Sequence, residues 1–213
     1  TDERDESKVA VRIEAIVVMI LALAAALAIK VPALFGLLLG GGDEPFYARN
    51  ASLFVLPLLT GYFVWKRKVG LVTCVWLALA FATAALFANV FPFNAGADTQ
   101  ALSALHLPIA LWLVVGIAYT GGHWFVGGRR MDFVRFSGEL FIYYVLVALG
   151  GGVLTAFTLM MFAAIGMDAE SFAQGWLFPC GATAAVIVAS WLVEAKQSVI
   201  ENMAPVLTKL FTP

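Results

Sequence analysis

Six long apolar runs, separated by short polar segments, make up most of this chain. A helix needs about 20 mostly apolar residues to cross the hydrocarbon core of a bilayer. The runs show no period-two alternation, which argues against barrel strands, and backbone groups in hydrocarbon must then be satisfied within helices. The pattern therefore predicts an all-α fold, a transmembrane helical bundle with six spans at about 15–39, 51–65, 69–90, 104–120, 137–165 and 172–193.

Proline, glycine and polar residues set the predicted boundaries of these spans. Pro32 is expected to kink span 1, and Ser137 is a plausible N-cap for span 5. Residues 94–103 are predicted to form a polar loop, and 123–136 an interfacial connection. The predicted organisation is an interfacial, cytoplasmic segment 1–14, a six-span domain 15–193, and an amphipathic cytoplasmic tail 194–213, interrupted by Pro205 and continuing into further protein.

The distribution of basic residues predicts the orientation of the chain. Lys and Arg are enriched in cytoplasmic connections, whatever the net charge. With the N-terminus inside, eleven of the thirteen basic residues fall on the cytoplasmic side, Arg49 falls outside, and Lys30 lies within span 1. We therefore expect both termini in the cytoplasm. The eleven are Arg4, Lys8, Arg12, Lys66, Arg67, Lys68, Arg129, Arg130, Arg135, Lys196 and Lys209.

Composition supports lipid as the main partner of the chain. It is 62% hydrophobic and only 13% charged, whereas a soluble domain carries about a quarter charged residues. The net charge of −1 and the lack of a basic stripe do not indicate nucleic-acid binding. The two cysteines, Cys74 and Cys180, are predicted near opposite membrane faces, so a disulfide between them is not expected.

Three polar residues near the outer ends of the spans form a candidate binding pocket: Lys30, Asn89 and His106. Ionisable residues within spans are expensive and often functional, and a histidine beside a lysine and an amide suits proton relay or anion binding. The alternative is structural. Lys30 can snorkel to the headgroups or form a structural pair, and Asn89 and His106 can hydrogen-bond neighbouring helices.

Charged residues also flank the predicted inner membrane boundary, at Glu14, Arg135, Glu139 and Glu194. Arg135 and Glu139 are four residues apart, which allows an ion pair if one helix contains both. The favoured interpretation is that these groups anchor helix ends.

Gly150, Gly151 and Gly152 lie midway along span 5. Glycine in a helix costs about 1 kcal/mol relative to alanine in water. Such residues allow close packing of another helix, or a hinge. Packing is the favoured interpretation, and a gate or hinge is the functional alternative.

No motif for catalysis, metal binding or a cofactor occurs in the chain. The patterns GxxxxGK[ST], HExxH, GxSxG, CxxC and GxGxxG are all missing. The two histidines are predicted at opposite faces, which does not suit a metal site. We therefore expect no cofactor and no metal, and enzymatic activity is the least favoured hypothesis.

Several stretches of the chain resemble a bacterial family of multi-span membrane proteins. They are FYARNASLFVLPLLTGYFVWKR, RRMDFVRFSGELFIYYVLVALGGGVLTAFTLMMFAAIG (129–166) and WLVEAKQSVIENMAPVLTKLFTP (191–213). The family is the domain-of-unknown-function 4153 family. The resemblance implies a location in the bacterial inner membrane and further spans beyond Pro213. The family has no established activity, so the resemblance assigns no catalytic residues.

The sequence favours a transport or permeation module of unspecified substrate, using proline-broken spans around Lys30, Asn89 and His106. The alternative is a non-catalytic membrane scaffold or accessory subunit. Its glycine-rich helix faces would dock a protein partner or a second copy of the chain. The two hypotheses differ in whether Lys30 and His106 face a hydrated cavity.

Overall fold

The computed structural model describes the backbone of residues 2–37, 39, 42–93 and 98–211, and within 9–196 it also describes the side chains outside those gaps. Within these ranges the chain is helical and contains no strand. The all-α prediction is therefore confirmed for this part of the chain.

Six long helices and a few short helical segments account for the fold. The long ones are α1 (Asp2–Ala28), α2 (Glu44–Arg67), α3 (Leu71–Val90), α4 (Asp98–Tyr119), α5 (Gly127–Ala164) and α7 (Phe178–Phe211). A 3₁₀ turn, Val31–Phe35, follows α1. A three-residue helix α6 (Glu170–Phe172) and a π-helical turn (Ala173–Leu177) lead into α7.

Five of these segments are long and apolar enough to cross a membrane. They are Val9–Phe35, Leu71–Val90, Asp98–Tyr119, Gly127–Ala164 and Glu170–Lys196. The chain therefore has the character of a multi-pass membrane protein. Helix α2 is not among the five, although its 24 residues extend about 36 Å at 1.5 Å per residue.

Helix α2 lies at the centre of the bundle and packs against α1, α3, α4 and α7. Its buried residues include Tyr47, Asn50 and Tyr62, which carry polar groups. Polar groups are tolerated in an apolar surrounding when neighbouring protein atoms satisfy them. The buried polar residues of α2 are thus placed against other helices.

Contacts at the two ends of the bundle show that successive long helices run in opposite directions. One end, here called the basic end, joins the first half of α1, the end of α2, the end of α4 and the start of α5. The opposite end joins the end of α1, the start of α2, the end of α3 and the π turn. The joining pairs are Glu14–Lys66, Thr120–Arg129, Asn50–Asn89 and Lys30–Gly175.

Aromatic side chains fill the core between α2, α4 and α5. The Phe63 ring meets those of Tyr119 and Phe136 edge to face, with centroids 5.2 and 5.3 Å apart. Tyr119 and Phe136 stack at 4.7 Å. Buried aromatic pairs of this kind add about 0.5–1.5 kcal/mol beyond the burial of their surface. This packing fixes the first half of α5 against the bundle.

The first crossing differs from its predicted form because its helix ends early. α1 stops at Ala28, and Pro32 occupies the start of the 3₁₀ turn, which ends at Gly36 with φ +85°. Proline removes a backbone donor and disfavours helix at the residue before it. Lys30 therefore lies at a break in the helix, not within it.

The predicted start of span 5 is wrong, because α5 begins ten residues earlier, at Gly127. Ser137 is not an N-cap. Its hydroxyl donates to the Phe133 carbonyl at 2.8 Å and accepts a hydrogen bond from Trp112 Nε1 at 3.0 Å. The polar and glycine residues of 123–136 suggested a connection between helices. Charged residues can nevertheless lie in a helix where it leaves the membrane, and here they extend α5.

Helix α4 also begins earlier than predicted. It starts at Asp98, inside the predicted loop 94–103, whose residues 94–97 lie outside the described part.

Helix α7 continues through the predicted tail without a break. Its backbone is helical from Phe178 to Phe211, so the predicted interruption at Pro205 is wrong. No glycine or turn signal follows Val193, and one proline removes one hydrogen bond without ending the helix. The side chains after Lys196, which carry the predicted amphipathic pattern, lie outside the described residues, as does Pro213.

Gly116 provides a test of the packing between α4 and α5. A Cβ atom there would lie 2.7 Å from Phe133 Cε1 and 2.7 Å from Trp124 Cζ3. We expect Gly116→Ala to lower the free energy of unfolding by about 1–3 kcal/mol, as overpacking does. Thermal unfolding of the purified protein in detergent micelles measures the change.

The matched control is Gly61→Ala in α2, where a Cβ meets no atom within 4 Å. It should be neutral or slightly stabilising, because alanine is the better helix former. Equal melting temperatures for the two variants would contradict the close approach of α4 and α5.

Candidate functional site

Lys30 contacts the π turn before α7. Its ammonium group donates a hydrogen bond to the Gly175 carbonyl and lies 4.7 Å from the centroid of the Trp176 ring. A π turn departs from the regular α-helical hydrogen-bond pattern, and the Gly175 carbonyl within it accepts the Lys30 donor. Lys30 therefore joins the end of α1 to the start of the last crossing.

Asn89 forms a reciprocal amide pair with Asn50. The two side chains exchange hydrogen bonds of 2.8 and 3.1 Å, and Asn50 is only 4% exposed. Asn50 also donates to the Phe46 carbonyl at 2.9 Å. This pair satisfies the buried side-chain amide of Asn50 at the opposite end of the bundle, and it joins α2 to α3.

His106 is exposed on α4, and its Nδ1 lies 2.8 Å from the carbonyl of Leu102 in its own helix. Within the described residues, no hydrogen bond or ion pair joins Lys30, Asn89 and His106 to one another. Each of the three predicted pocket residues thus has a separate local partner.

Five polar side chains at the basic end are joined by hydrogen bonds and ion pairs. We call them the basic-end cluster: Glu14, Tyr62, Lys66, Arg67 and Glu194. Glu14 Oε1 accepts hydrogen bonds from the Tyr62 hydroxyl at 2.7 Å and from Lys66 Nζ at 2.5 Å. Lys66 Nζ also lies 3.3 Å from Glu194 Oε2. Lys66 of α2 is therefore shared between carboxylates of α1 and α7.

Arg67 completes the cluster by holding Glu194. Its Nη2 lies 2.9 Å from both carboxylate oxygens, and Glu194 is only 5% exposed. The guanidinium carbon is 5.0 Å from the centroid of the Tyr119 ring of α4. Charge-assisted hydrogen bonds of this type are about twice as strong as neutral ones. The cluster thus ties α1, α2, α4 and α7 together at one level.

A second ion pair extends this polar layer to α5. Arg135 Nε donates to Glu139 Oε1 at 3.0 Å, which confirms the predicted pairing four residues apart. Lys196 Nζ of α7 lies 3.8 Å from Glu139 Oε2. The charged residues at the basic end therefore connect helices, in keeping with an anchoring role.

The interactions of the basic-end cluster are ion pairs and hydrogen bonds that hold helices together. Two carboxylates are balanced by two basic groups, and each charged side chain has at least one partner. No group of three or more His, Cys, Asp or Glu residues within the described part of the chain is arranged to hold a metal ion. The cluster therefore has the features of a clamp between helices.

The three glycines of α5 lie on a continuous helix. A Cβ atom at Gly150, Gly151 or Gly152 would meet no atom within 4 Å. Only 6% of the apolar membrane window of α5 is buried inside the structure, the lowest share of the five candidate spans. The second half of α5 therefore presents its glycines to the surroundings and not to another described helix of this chain.

An apolar cavity of about 610 Å³ lies between α2, α4, α5 and α7, towards the opposite end. Ser52 Oγ, on its α2 wall, is buried and has no hydrogen-bond partner among the described residues. The volume falls in the range of small-molecule sites. Other lining residues are Leu56, Pro108, Trp112, Tyr144, Pro179 and Thr183.

Sequence reasoning placed Glu14 and Glu194 at a membrane boundary but did not identify Lys66, Arg67 and Tyr62 as their partners. The sequence did contain a signal for this pairing. Glu14, Lys66 and Glu194 lie at the inner ends of three predicted spans, and opposite charges near hydrocarbon favour pairing. The cavity had no comparable signal, since apolar residues line helix contacts and grooves alike.

Comparison with known proteins identifies no relative: no family model, no curated protein and no solved structure matches the chain. The resemblance to the domain-of-unknown-function 4153 family stays a prediction. The functional argument therefore rests on the residues themselves.

Glu194→Gln is expected to lower the free energy of unfolding by about 2 kcal/mol, because the buried pair with Arg67 loses its charge. The comparison is Glu170→Gln, at an exposed carboxylate that accepts from Gln174 at 3.0 Å. That control should change stability by less than about 0.5 kcal/mol. Unfolding in mixed micelles with increasing sodium dodecyl sulfate measures both. Equal effects would mean that the basic-end cluster does not stabilise the bundle.

Proposed function

We propose that this chain is a non-catalytic membrane scaffold or accessory subunit that docks a partner transmembrane helix on α5. The observation that carries the proposal is the open surface at Gly150, Gly151 and Gly152, where an added Cβ atom would have no described atom of the chain within 4 Å. Glycine weakens a helix, so a glycine on an open helix surface is best explained by a close contact that needs it. Consecutive residues point in different directions, so one partner helix would use one of the three glycines.

The residues around the glycines support this use of the surface. Ala148, Gly152 and Ala156 follow one another at intervals of four and share one helix face. Small residues at this spacing let transmembrane helices approach closely, and association then depends on van der Waals contact. Thr155 bonds to the Gly151 carbonyl of its own helix at 2.8 Å, which leaves its methyl group available for packing.

The transport hypothesis receives less support from the same geometry. It needs Lys30 and His106 in one hydrated cavity. Lys30 instead contacts Gly175 and Trp176, and His106 contacts its own backbone. The cavity between α2, α4, α5 and α7 is lined mainly by apolar side chains. The candidate pocket residues are thus better explained as contacts that satisfy polar groups within or between helices.

We further propose six crossings in a bacterial inner membrane, with the basic end cytoplasmic. Two facts support α2 as the sixth crossing: its length, and its antiparallel position among α1, α3, α4 and α7. The positive-inside tendency supports the orientation, because Lys66, Arg67 and Arg129 meet at the basic end. Membership of the domain-of-unknown-function 4153 family is proposed on the quoted resemblance alone.

The topology proposal predicts that the two ends of α2 lie on opposite sides of the membrane. Single cysteines at Gly42 and Lys68, in a variant with Cys74 and Cys180 replaced by alanine, would be labelled with a membrane-impermeant thiol reagent. We expect Gly42→Cys to react in intact cells and Lys68→Cys only in inverted vesicles. Labelling of both from the same side would show that α2 does not cross.

The docking proposal predicts a cross-link from the glycine face. A photoreactive amino acid at Leu149, which is 61% exposed and lies three residues before Gly152 on the same side of the helix, should form a discrete protein adduct in native membranes. Gly152→Leu should abolish the adduct, because the added side chain prevents close approach of a partner helix. The adduct is measured by gel mobility and mass spectrometry.

Gly152→Ala is the matched control for Gly152→Leu. Both changes remove glycine and meet no atom of the chain within 4 Å at Cβ, so both should leave the isolated protein folded. The alanine variant keeps a small residue and should retain the adduct. Formation of lipid adducts only, or equal adducts in both variants, would contradict docking at α5.

A further inference from the structure

Three of the six methionines of the chain lie within eight residues at the end of α5, as Met160, Met161 and Met167. Two of them, Met160 and Met167, line an open cavity of about 500 Å³, and Met161 is not among its lining residues. The thioether of methionine is a soft, polarisable donor that binds soft metal ions. The cavity therefore brings together two soft donors from one short stretch of chain.

The turn that ends α5 brings the two methionines to the same cavity. Gly166 has φ +76°, and its N–H donates to the Ala163 carbonyl at 3.0 Å. The Met167 N–H donates to the Phe162 carbonyl, also at 3.0 Å. These are the two hydrogen bonds of a Schellman motif, in which the chain turns at a left-handed residue after the helix. Met167 is thereby folded back towards the last turns of α5, where Met160 lies.

Two carboxylates, Asp168 and Glu170, line the same cavity. Asp168 Oδ1 accepts a hydrogen bond from the Glu170 N–H at 2.9 Å, and Glu170 Oε1 accepts one from Gln174 Nε2 at 3.0 Å. Neither carboxylate forms an ion pair with another described residue. Each therefore keeps an uncompensated negative charge and one oxygen free for a ligand.

The end of α5 adds to the negative potential of this cavity. The last carbonyls of a helix lack intrahelical donors and carry the negative end of the helix dipole. The last turn of α5 contains no basic residue, and no Lys or Arg is among the described residues that line the cavity. The cavity thus favours a cation over an anion.

The donor set selects which cation. Calcium needs about six to eight oxygen ligands, and structural zinc is bound mainly by cysteine and histidine. The described ranges contain no group of three or more His, Cys, Asp or Glu residues that could hold such an ion. Thioethers favour Cu(I). We propose that this cavity binds one Cu(I) ion through the sulfurs of Met160 and Met167, with Asp168 and Glu170 supplying negative charge.

The sequence predicted no metal because the patterns that indicate one consist of histidine, cysteine and acidic residues, and methionine has no comparable spacing rule. The proposed ion site is also separate from the docking surface. Met160 lies eight residues after Gly152, so either proposal can fail without the other.

The first test follows each methionine directly. The full chain is purified in detergent micelles with Cys74 and Cys180 replaced by alanine, because thiolates bind the same ions. Ag(I) is the probe, since it shares the charge and softness of Cu(I) and needs no reductant. The methionine methyl carbons are isotope-labelled and observed by NMR while Ag(I) is added. We expect the Met160 and Met167 signals to shift and the Met161 signal to stay.

Leucine substitutions then measure what each thioether contributes. Leucine has a volume close to that of methionine and no donor atom, so the fold should be kept. Met160→Leu and Met167→Leu should each lower the affinity for Cu(I) by roughly tenfold or more, because even residues behind the ligands change metal affinity by that factor. Affinity is measured by competition with a chromogenic Cu(I) chelator under reducing conditions.

Met161→Leu is the matched control. Met161 is 59% exposed and adjacent to Met160 in sequence, but it does not line the cavity, so its replacement should leave the affinity unchanged.

Three outcomes would overturn the proposal. The first is Cu(I) binding no tighter than that of the double variant Met160→Leu/Met167→Leu. The second is a Met161 signal that shifts as far as the other two when Ag(I) is added. The third is an equal loss of affinity in Met161→Leu and Met160→Leu, which would show that exposed methionines bind the ion without a defined site.

Discussion

The polar groups of α2 place the main constraint on the arrangement of the bundle. Unpaired polar groups are costly in an apolar medium, and α2 carries buried Asn50 in its first half and buried Tyr62 near its end. Such a helix is stable at membrane depth only when other helices cover it and supply partners. Asn89 of α3 and Glu14 of α1 are two of those partners. The more apolar helices then lie on the outside, where their large exposed side chains suit lipid.

Hydrophobic pattern and length were sufficient to predict the class of fold. They identified the long apolar segments because hydrocarbon permits few alternatives to a helix. They were less informative about helix ends. At Gly127 and at Asp98 the helices start within polar sequence, since a helix leaving a membrane needs no change of composition to continue. The break after Ala28 was visible as Pro32, but the sequence did not distinguish a kink from a 3₁₀ turn.

The candidate pocket shows why depth alone does not define a site. Lys30, Asn89 and His106 were grouped because they lie near the same membrane face, which the sequence indicates well. Whether they meet depends on the rotation of each helix about its axis. With few polar residues per helix, the sequence gives little information on that rotation. The basic-end cluster is different, because Glu14, Lys66 and Glu194 carry opposite charges, so their depth already favours pairing.

The basic-end cluster combines two carboxylates with two basic side chains, so its net charge is zero. An elementary charge moved through a membrane potential of 100 mV changes in energy by about 2.3 kcal/mol. A neutral unit that moves together has no such dependence on voltage. Displacing the cluster as one unit through the membrane field therefore moves no net charge, and the field gives no driving force for such a displacement.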